Sequence, residues 1–153
     1  MRVSIIAIGK ARVGPESMLF KNYFERINAW PVTLVEKELR KKIDVNKVAT
    51  VESELLMKAI PKGAFIVVLD EHGKELPSKG FAQLINELST LGHREMAFII
   101  GGANGLSPLM RQSADYVLSL GKMTWPHMLV RGLLIEQIYR AQQINMGHPY
   151  HRD

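Results

Sequence analysis

The sequence predicts an α/β fold in which helices flank a mostly parallel β-sheet. Short apolar segments alternate with longer segments of helical spacing along the whole chain. The apolar segments do not alternate with polar residues, which indicates that helices cover both faces of the sheet. The length of 153 residues suits one domain rather than two, so we expect residues 1–153 to form a single domain.

Three strands and two helices are predicted in the first half of the chain. The apolar segments that predict strands are residues 3–8, 32–35 and 64–69. The helices are predicted over residues 16–28, after the turn signal Gly14-Pro15, and over residues 48–60. Residues 36–47 form the most charged part of the chain, for which a solvated face is the default interpretation.

Two strands and three helices are predicted in the second half of the chain. The strands are residues 96–100 and 116–120. The helices are residues 78–91, a short one that begins after Ser107 at Pro108, and residues 126–146. Ser78 is a candidate cap for the first of these helices, and Gly147 ends the last.

The composition excludes several classes of function. Hydrophobic residues make up 46% of the chain and charged residues 23%, as is typical of a soluble domain. The absence of cysteine excludes thiol catalysis, cysteine-rich zinc sites and a disulfide framework. No apolar run is long enough to span a bilayer and no signal-peptide cleavage site is present, so we expect a cytoplasmic protein. The net charge of +5 permits an anionic partner.

Three loops are candidates for a ligand site, because ligands of open α/β sheets bind beyond the carboxyl ends of the strands. They follow Leu69, Ile100 and Leu120. The second loop contains Gly101, Gly102 and Gly105, and glycines let the backbone approach a ligand closely. A tight turn from strand to helix explains the same glycines equally well. Neither the dinucleotide-binding fingerprint nor the phosphate-binding P-loop is present.

The third loop mixes apolar, glycine and aromatic residues just before a helix. Met123, Trp125 and the backbone amides there are suited to a flat, partly apolar ligand. The alternative is a hydrophobic staple that packs the long helix onto the sheet. Farther along that helix, ordinary surface charges are the default interpretation for Arg131, Glu136 and Arg140.

The end of the chain concentrates four aromatic or polar side chains, namely His148, Tyr150, His151 and Arg152. No metal site is expected, because Pro149 interrupts any helix there and only the terminal Asp153 supplies a carboxylate. Arginine and histidine beside an aromatic residue suit a phosphate and a stacked base better. A frayed terminus without function is the alternative.

Five segments, in this order and spacing, resemble one known family over essentially the whole chain. They are Leu69-Asp70-Glu71-His72-Gly73-Lys74, the turn Ile100-Gly101-Gly102 with Gly105-Leu106-Ser107, residues 124–131, residues 136–141, and His148-Pro149-Tyr150-His151-Arg152. The chain resembles the ribosomal RNA large subunit methyltransferase H family, a minimal group of the SPOUT (α/β-knot) methyltransferases.

The resemblance implies a homodimer whose carboxyl-terminal part forms a trefoil knot, a rare exception to the usual rules of topology. It implies S-adenosylmethionine as methyl donor and 23S rRNA on the assembled ribosome as partner. The implied reaction methylates ring N3 of a pseudouridine in helix 69. The implied cofactor-binding residues are Leu69, Gly101, Leu120, Gly121, Lys122, Met123, Thr124 and Trp125. The implied catalytic residues are His151 and Arg152, with Tyr150. The resemblance implies that they lie near the target base and reach the site of the partner subunit.

Several alternatives stay open at this point. His151 or a nearby water is a candidate acceptor of the N3 proton, and Arg152 is a candidate ligand of a phosphate or of the ring oxygens. Alternatively, the enzyme only positions the two substrates, and the proton is lost to solvent. The substrate is alternatively another nucleotide of rRNA or tRNA, or a ribose hydroxyl. A non-catalytic ribosome-binding or assembly factor is the third alternative. The stretch from Arg40 to Lys47 is a candidate rRNA contact.

Overall fold

Five strands form a parallel sheet in the computed structural model, which describes residues 1–150. The strands are β1 (Arg2–Ile8), β2 (Val32–Lys37), β3 (Phe65–Glu75), β4 (Glu95–Ile100) and β5 (Tyr116–Ser119). They lie in the order β2-β1-β4-β3-β5, and each ladder between them is parallel. Because the strands run in one direction, the loops that follow them meet at one edge of the sheet.

Helices cover both faces of this sheet, as the sequence predicted. They are α1 (Pro15–Phe24), α2 (Val45–Met57), α3 (Ser78–Thr90), α4 (Pro108–Gln112) and α5 (His127–Asn145). The first, third and fifth pack over one face, while α2 and α4 pack over the other. Among residues 1–150, no helix is long and apolar enough to cross a membrane. The trefoil knot that the resemblance implies stays a prediction.

Neighbouring residues of the central strands are buried on opposite faces of the sheet. In β1, Ile5 packs beneath α3 and α5, while Ile6 packs on the side of α2 and α4. Phe98 and Ile99 repeat this arrangement in β4, and all four side chains are fully buried. Burial of each such side chain contributes about 1.5–3 kcal/mol. This two-sided burial explains why the strands are apolar throughout.

Strand β3 does not end at Leu69 but continues to Glu75 after an interruption. Leu69 and Lys74 both pair with Leu118, so the residues between them leave the ladder. The chain can pass close to β5 there because Gly73 has no Cβ. A Cβ at Gly73 would lie 2.7 Å from the backbone carbon of Leu118 and from the carbonyl oxygen of Val117. The interruption directs residues 70–72 toward the carboxyl edge of the sheet.

Several helix ends differ from the predictions: α1 ends at Phe24 rather than residue 28, and α2 ends at Met57 rather than residue 60. Helix α2 begins at Val45 rather than residue 48, because the Asp44 carboxylate accepts a hydrogen bond from the Asn46 amide at 3.0 Å. Ser78 is not a cap, contrary to prediction: it is the first residue of α3, and its hydroxyl donates to Gln137 Oε1 at 2.8 Å. The predicted start of α4 at Pro108 is confirmed, and the Ser107 hydroxyl before it accepts a hydrogen bond from the Met110 amide.

Candidate functional site

A cavity of about 660 Å³ lies at the carboxyl edge of the sheet. All three loops that the sequence singled out line it. Of the predicted cofactor residues, the structure brings Leu69, Gly101, Leu120, Gly121, Met123, Thr124 and Trp125 together on its wall. Lys122 is exposed and is not among the lining residues.

The glycine turn after β4 is packed too tightly for side chains. Gly102 and Gly105 form an isolated antiparallel bridge, in which the Gly105 amide donates to the Gly102 carbonyl at 3.0 Å. A Cβ at Gly101 would lie 2.9 Å from Leu106 Cγ, and one at Gly102 would lie 2.8 Å from Glu52 Oε2. The turn is therefore both a tight connection and a bare backbone surface on the cavity wall.

Glu52 supports this turn from the side of α2. The residue is 8% exposed, and its Oε2 has no hydrogen-bond partner among residues 1–150. Burial raises the pKa of the Glu52 carboxyl above its ordinary value, because the interior disfavours the charged form. Burying a carboxyl oxygen without a hydrogen-bond partner lowers the free energy of unfolding. Position 52 is therefore not optimised for stability alone.

The turn after β5 is held by a buried serine. The Ser119 hydroxyl donates to the Gly121 carbonyl at 2.9 Å and accepts from the Gly121 amide at 3.1 Å. Gly121 has a backbone φ of 113°, a conformation that residues other than glycine rarely adopt. Ser119 therefore fixes a left-handed turn that carries Leu120 and Gly121 to the cavity wall.

Residues 70–72, which leave the β3 ladder, place charged groups on the cavity rim. Asp70 contacts Arg111 Nε at 2.8 Å and His72 Nδ1 at 3.0 Å. Burial opposes ionisation of Asp70, but the hydrogen bonds from His72 and the positive charge of Arg111 outweigh it and lower its pKa. Glu71 Oε2 accepts from the Thr124 hydroxyl at 2.8 Å, which joins the first and third loops.

Arg131 is buried, so its interpretation as a surface charge is wrong. Its side chain is 3% exposed, and it pairs with Glu36 at 2.6 Å. It also donates to the carbonyls of Ile8 and Gly9 at 2.6 and 2.7 Å, although its Nε has no partner among the described residues. Burial lowers the pKa of Arg131, and the Glu36 carboxylate opposes that shift. Arg131 thereby ties α5 to the ends of β1 and β2.

His127 lies at the boundary between the cavity and a neighbouring groove. It lines both this cavity and the groove, which has a volume of about 600 Å³ and lies beside the β1–α1 loop. Burial, reinforced by the charge of Arg131, lowers the pKa of His127. The imidazole is therefore neutral at neutral pH.

The described part of the tail packs on the molecule's own helices. The Tyr150 ring meets Tyr139 edge-on at 4.9 Å between centroids, and its hydroxyl lies 3.3 Å from Glu136 Oε1 and 3.5 Å from the Tyr23 hydroxyl. Burial, together with these contacts, raises the pKa of Tyr150. Tyr150 does not line the cavity, while the predicted catalytic residues His151 and Arg152 lie outside the described residues.

Glu136 and Arg140 pair with each other rather than standing as separate surface charges. Arg140 Nε donates to Glu136 Oε1 at 2.9 Å, and both side chains are largely buried. Within residues 1–150, no three histidine, aspartate or glutamate side chains lie close enough together to hold a metal ion.

Sequence reasoning missed Glu52, Ser119 and Arg131 as residues that shape the site. The contacts of Glu52 and Arg131 join segments that are far apart along the chain, as in the 95 positions between Arg131 and Glu36. Ser119 holds Gly121 two residues away, but serine at the end of a strand is no specific signal for that turn. The cavity they shape can accept a small molecule with one flat apolar part and one polar part, since apolar walls alternate with backbone amides and carboxylates.

A solved structure and several relatives resemble the chain. A crystal structure of the SpoU methyltransferase AviRb from Streptomyces viridochromogenes, in complex with AdoMet, matches 94% of this chain and 58% of its own. That match has a TM-score of 0.48 and 13% identity, which is too low to support conclusions about this chain. A protein of Rhodospirillum centenum is 49% identical, and one of Paramagnetospirillum magneticum is 46% identical, each over 99% of both chains. Both are named ribosomal RNA large subunit methyltransferase H.

A family model described as "Predicted SPOUT methyltransferase" matches residues 1–151. Together with the full-length relatives, this match confirms the resemblance that the sequence motifs indicated. The chain belongs to the SPOUT methyltransferases, within the ribosomal RNA large subunit methyltransferase H family.

Proposed function

We propose that this protein is an S-adenosylmethionine-dependent methyltransferase that modifies N3 of a pseudouridine in helix 69 of 23S rRNA, in the cytoplasm. The observation that carries the proposal is the cavity at the carboxyl edge of the sheet. Seven of the eight residues implied for cofactor binding line it, although they come from three separate loops. Membership of a methyltransferase family supports the reaction, and the names of the relatives, which refer to large-subunit ribosomal RNA, support the class of substrate.

The residues of the cavity fit this cofactor. Leu120, Met123 and Trp125 supply apolar contacts for a flat ring, and the bare glycine turn at Gly101 admits a ligand against the backbone. The Glu71 carboxylate on the rim complements a cation. When bound, S-adenosylmethionine supplies an electrophilic methyl group on a sulfonium. The cavity residues bind it and hold it in one orientation for direct displacement.

The chain must also remove the N3 proton of the target ring. We assign this step to His151, since histidine is a common general base in enzymes, or to a water beside it. Arg152 binds a phosphate or the ring oxygens. Because Tyr150 packs away from the cavity of its own chain, we assign these tail residues to the site of a partner subunit.

A homodimer is required by this arrangement. A groove of about 630 Å³ lined by α1, α3 and α5 borders the cofactor cavity and shares residues with it, among them Leu120, Gly121 and Trp125. Leu19, which is 37% exposed, and Leu133 line this groove. A second copy seated there would bring its tail next to the cavity. Sedimentation should show a dimer, and Leu19→Glu should shift it toward monomer.

Mass spectrometry of rRNA tests the proposed function. In a strain that lacks this protein, the digest of 23S rRNA should lose one methyl group from the helix 69 pseudouridine, and the purified protein should restore it on ribosomes. Loss of a methyl group elsewhere in rRNA or tRNA would show a different nucleotide target. An unchanged digest, with no cofactor binding by calorimetry, would instead identify a non-catalytic ribosome factor.

A further inference from the structure

Two basic loops lie side by side at the carboxyl edge of the sheet. Residues 10–14 follow β1, and residues 37–42 begin at the last residue of β2. These two strands are parallel neighbours. The Ala11 amide donates to Glu36 Oε1 at 2.7 Å, and Lys10 Nζ lies 4.0 Å from Glu38 Oε1. We call these two segments together the basic surface.

The basic surface concentrates charge that the rest of the molecule balances. It carries one carboxylate, Glu38, and six cations, which are Lys10, Arg12, Lys37, Arg40, Lys41 and Lys42. Its net charge therefore equals the +5 of the whole chain. Within residues 1–150, Arg12, Arg40 and Lys41 form no ion pair, whereas Arg131 and Arg111 each have a carboxylate partner. Arg12, Arg40 and Lys41 are also exposed.

The basic surface is continuous with the candidate active site. Lys10 and Arg12 line the groove of about 600 Å³ that also contains His127. The His127 side chain separates this groove from the cofactor cavity, since it lines both. A chain of phosphates that crosses the basic surface would therefore continue directly to the cavity.

We propose that the basic surface binds the phosphate backbone of the rRNA strand next to the target nucleotide. This inference rests on the proposed rRNA methylation and adds the place where the rRNA docks. Exposed cations without ion-pair partners complement phosphates, and their release of counterions makes such binding salt-dependent. Arg131 and Glu36 hold the ends of β1 and β2 in place, so the two loops are presented together.

A triple variant with a matched control tests the proposal. The test protein carries Arg12→Gln, Arg40→Gln and Lys41→Gln. The control carries Lys58→Gln, Lys62→Gln and Arg94→Gln, which remove three exposed cations at the opposite edge of the sheet. Ribosomes from the strain that lacks the protein are the substrate, and methyl transfer is measured against salt concentration. Thermal melting and calorimetric titration with S-adenosylmethionine confirm that both variants fold and bind the cofactor.

The test variant should show a KM for ribosomes at least about ten-fold higher at moderate salt, with kcat within about two-fold of wild type. The slope of log(kcat/KM) against log[salt] should shrink by about two to three, because each phosphate contact contributes about 0.7–0.9. The control should match wild type. Equal KM values and salt slopes in test and control would overturn the proposal.

Two further outcomes separate this proposal from its alternatives. If the wild-type protein methylates no rRNA, the proposed function fails, and cosedimentation of the variants with ribosomes then tests the basic surface by itself. If the test variant loses binding to ribosomes but binds protein-free 23S rRNA as tightly as the control does, the partner is an acidic ribosomal protein. That result would overturn the docking of rRNA on this surface.

Discussion

The Oε2 atom of Glu52 lies against the backbone of Gly102, 2.8 Å from the position that a Cβ of Gly102 would occupy. This contact places a buried carboxyl group directly behind the glycine turn that forms one wall of the cavity. Because Oε2 has no hydrogen-bond partner among the described residues, the folded state bears a desolvation cost at this position.

Glu52→Gln should stabilise the protein at neutral pH. Burial raises the pKa of Glu52, so the folded state binds a proton more tightly than the unfolded state does. The contribution of Glu52 to the free energy of unfolding is therefore fully present below about pH 4.3, the pKa of glutamate in the unfolded state. This contribution is lost as the pH rises through the higher pKa of the folded state. Glutamine stays neutral throughout, so it avoids this loss.

We expect the variant to gain about 1 kcal/mol, or about 2–4 °C in melting temperature, near pH 8. The gain should fade as the pH approaches 4. Calorimetric scans of both proteins from pH 4 to 8 measure the difference. Glu54→Gln, at an exposed position of the same helix, is the control and should show no such trend. A gain for Glu52→Gln that is independent of pH would contradict the role of burial.

Gly73→Ala should be strongly destabilising. Its Cβ would lie 2.7 Å from the backbone of Leu118 and Val117, and neither strand can move without breaking the β3–β5 ladder. We expect a loss of about 3 kcal/mol or more, or about 6–12 °C in melting temperature. Gly80→Ala is the control, since its Cβ would lie within a helix, 3.3 Å from the Pro77 ring and 3.8 Å from Leu76 Cδ2, with no backbone atom as close. Similar melting temperatures for the two variants would disprove the clash.

The sequence predicted the fold and the edge that carries the site because those features depend on local patterns. The apolar run around Ile5 and Ile6 indicates a strand buried on both faces, and that reading requires only neighbouring residues. The start of α4 at Pro108 was predicted correctly because proline favours the first position of a helix, which is also a local preference. Once the strands were placed, topology alone located the three loops.

The contacts that shape the site could not be predicted, because they join distant segments. Ser78 fits the pattern of a helix cap, but its hydroxyl bonds Gln137, which α5 brings beside it. Arg131 occupies a position typical of a surface charge, yet Glu36 and two strand-end carbonyls surround it. Tertiary placement decides such contacts, and residue spacing carries no information about it.

Trp125→Ala and Lys122→Ala should have different effects on cofactor affinity, although both residues belong to the same loop. Trp125 lines the cavity and is 39% exposed, so its ring can cover a flat ligand. Lys122 is exposed and does not line the cavity. Calorimetric titration with S-adenosylmethionine should give about a ten-fold weaker Kd for Trp125→Ala, equivalent to about 1.4 kcal/mol. Lys122→Ala should remain within about two-fold of wild type. Equal losses would mean that the loop rearranges on binding.

Arg131→Met should destabilise the protein through the groups it leaves behind. Its removal takes the charge partner from the Glu36 carboxylate, which keeps the hydrogen bond from the Ala11 amide, and leaves the carbonyls of Ile8 and Gly9 without this donor. Breaking a buried pair in this way costs about 3–5 kcal/mol. Urea unfolding of Arg131→Met, Glu36→Gln and the double variant should show a coupling energy of about 1–3 kcal/mol. Additive losses would show that the two residues act independently.

Deletion of residues 150–153 should abolish methyl transfer while leaving cofactor binding nearly intact. Tyr150 does not line the cavity, so its loss removes no wall contact. We expect at least about a hundred-fold loss of kcat, with the Kd for S-adenosylmethionine within about two-fold of wild type. Tyr150→Phe is the control for packing, since it keeps the ring on Tyr139 but removes the hydroxyl near Glu136. Loss of cofactor binding in the deletion would contradict the division between cavity and tail.

His151→Ala tests the base within that tail. If His151 accepts the N3 proton, the variant should lose most of the wild-type rate of methyl transfer to ribosomes. A variant with rates close to wild type would exclude the base role and leave positioning as the function of the tail.

A mixture of two inactive proteins tests whether the tail of one subunit acts in the cavity of the other. Gly101→Val should displace the glycine turn that forms one wall of the cavity, because a Cβ at this position would lie 2.9 Å from Leu106 Cγ. Activity regained when this variant is mixed with the tail deletion would show that the tail of one subunit serves the cavity of the other.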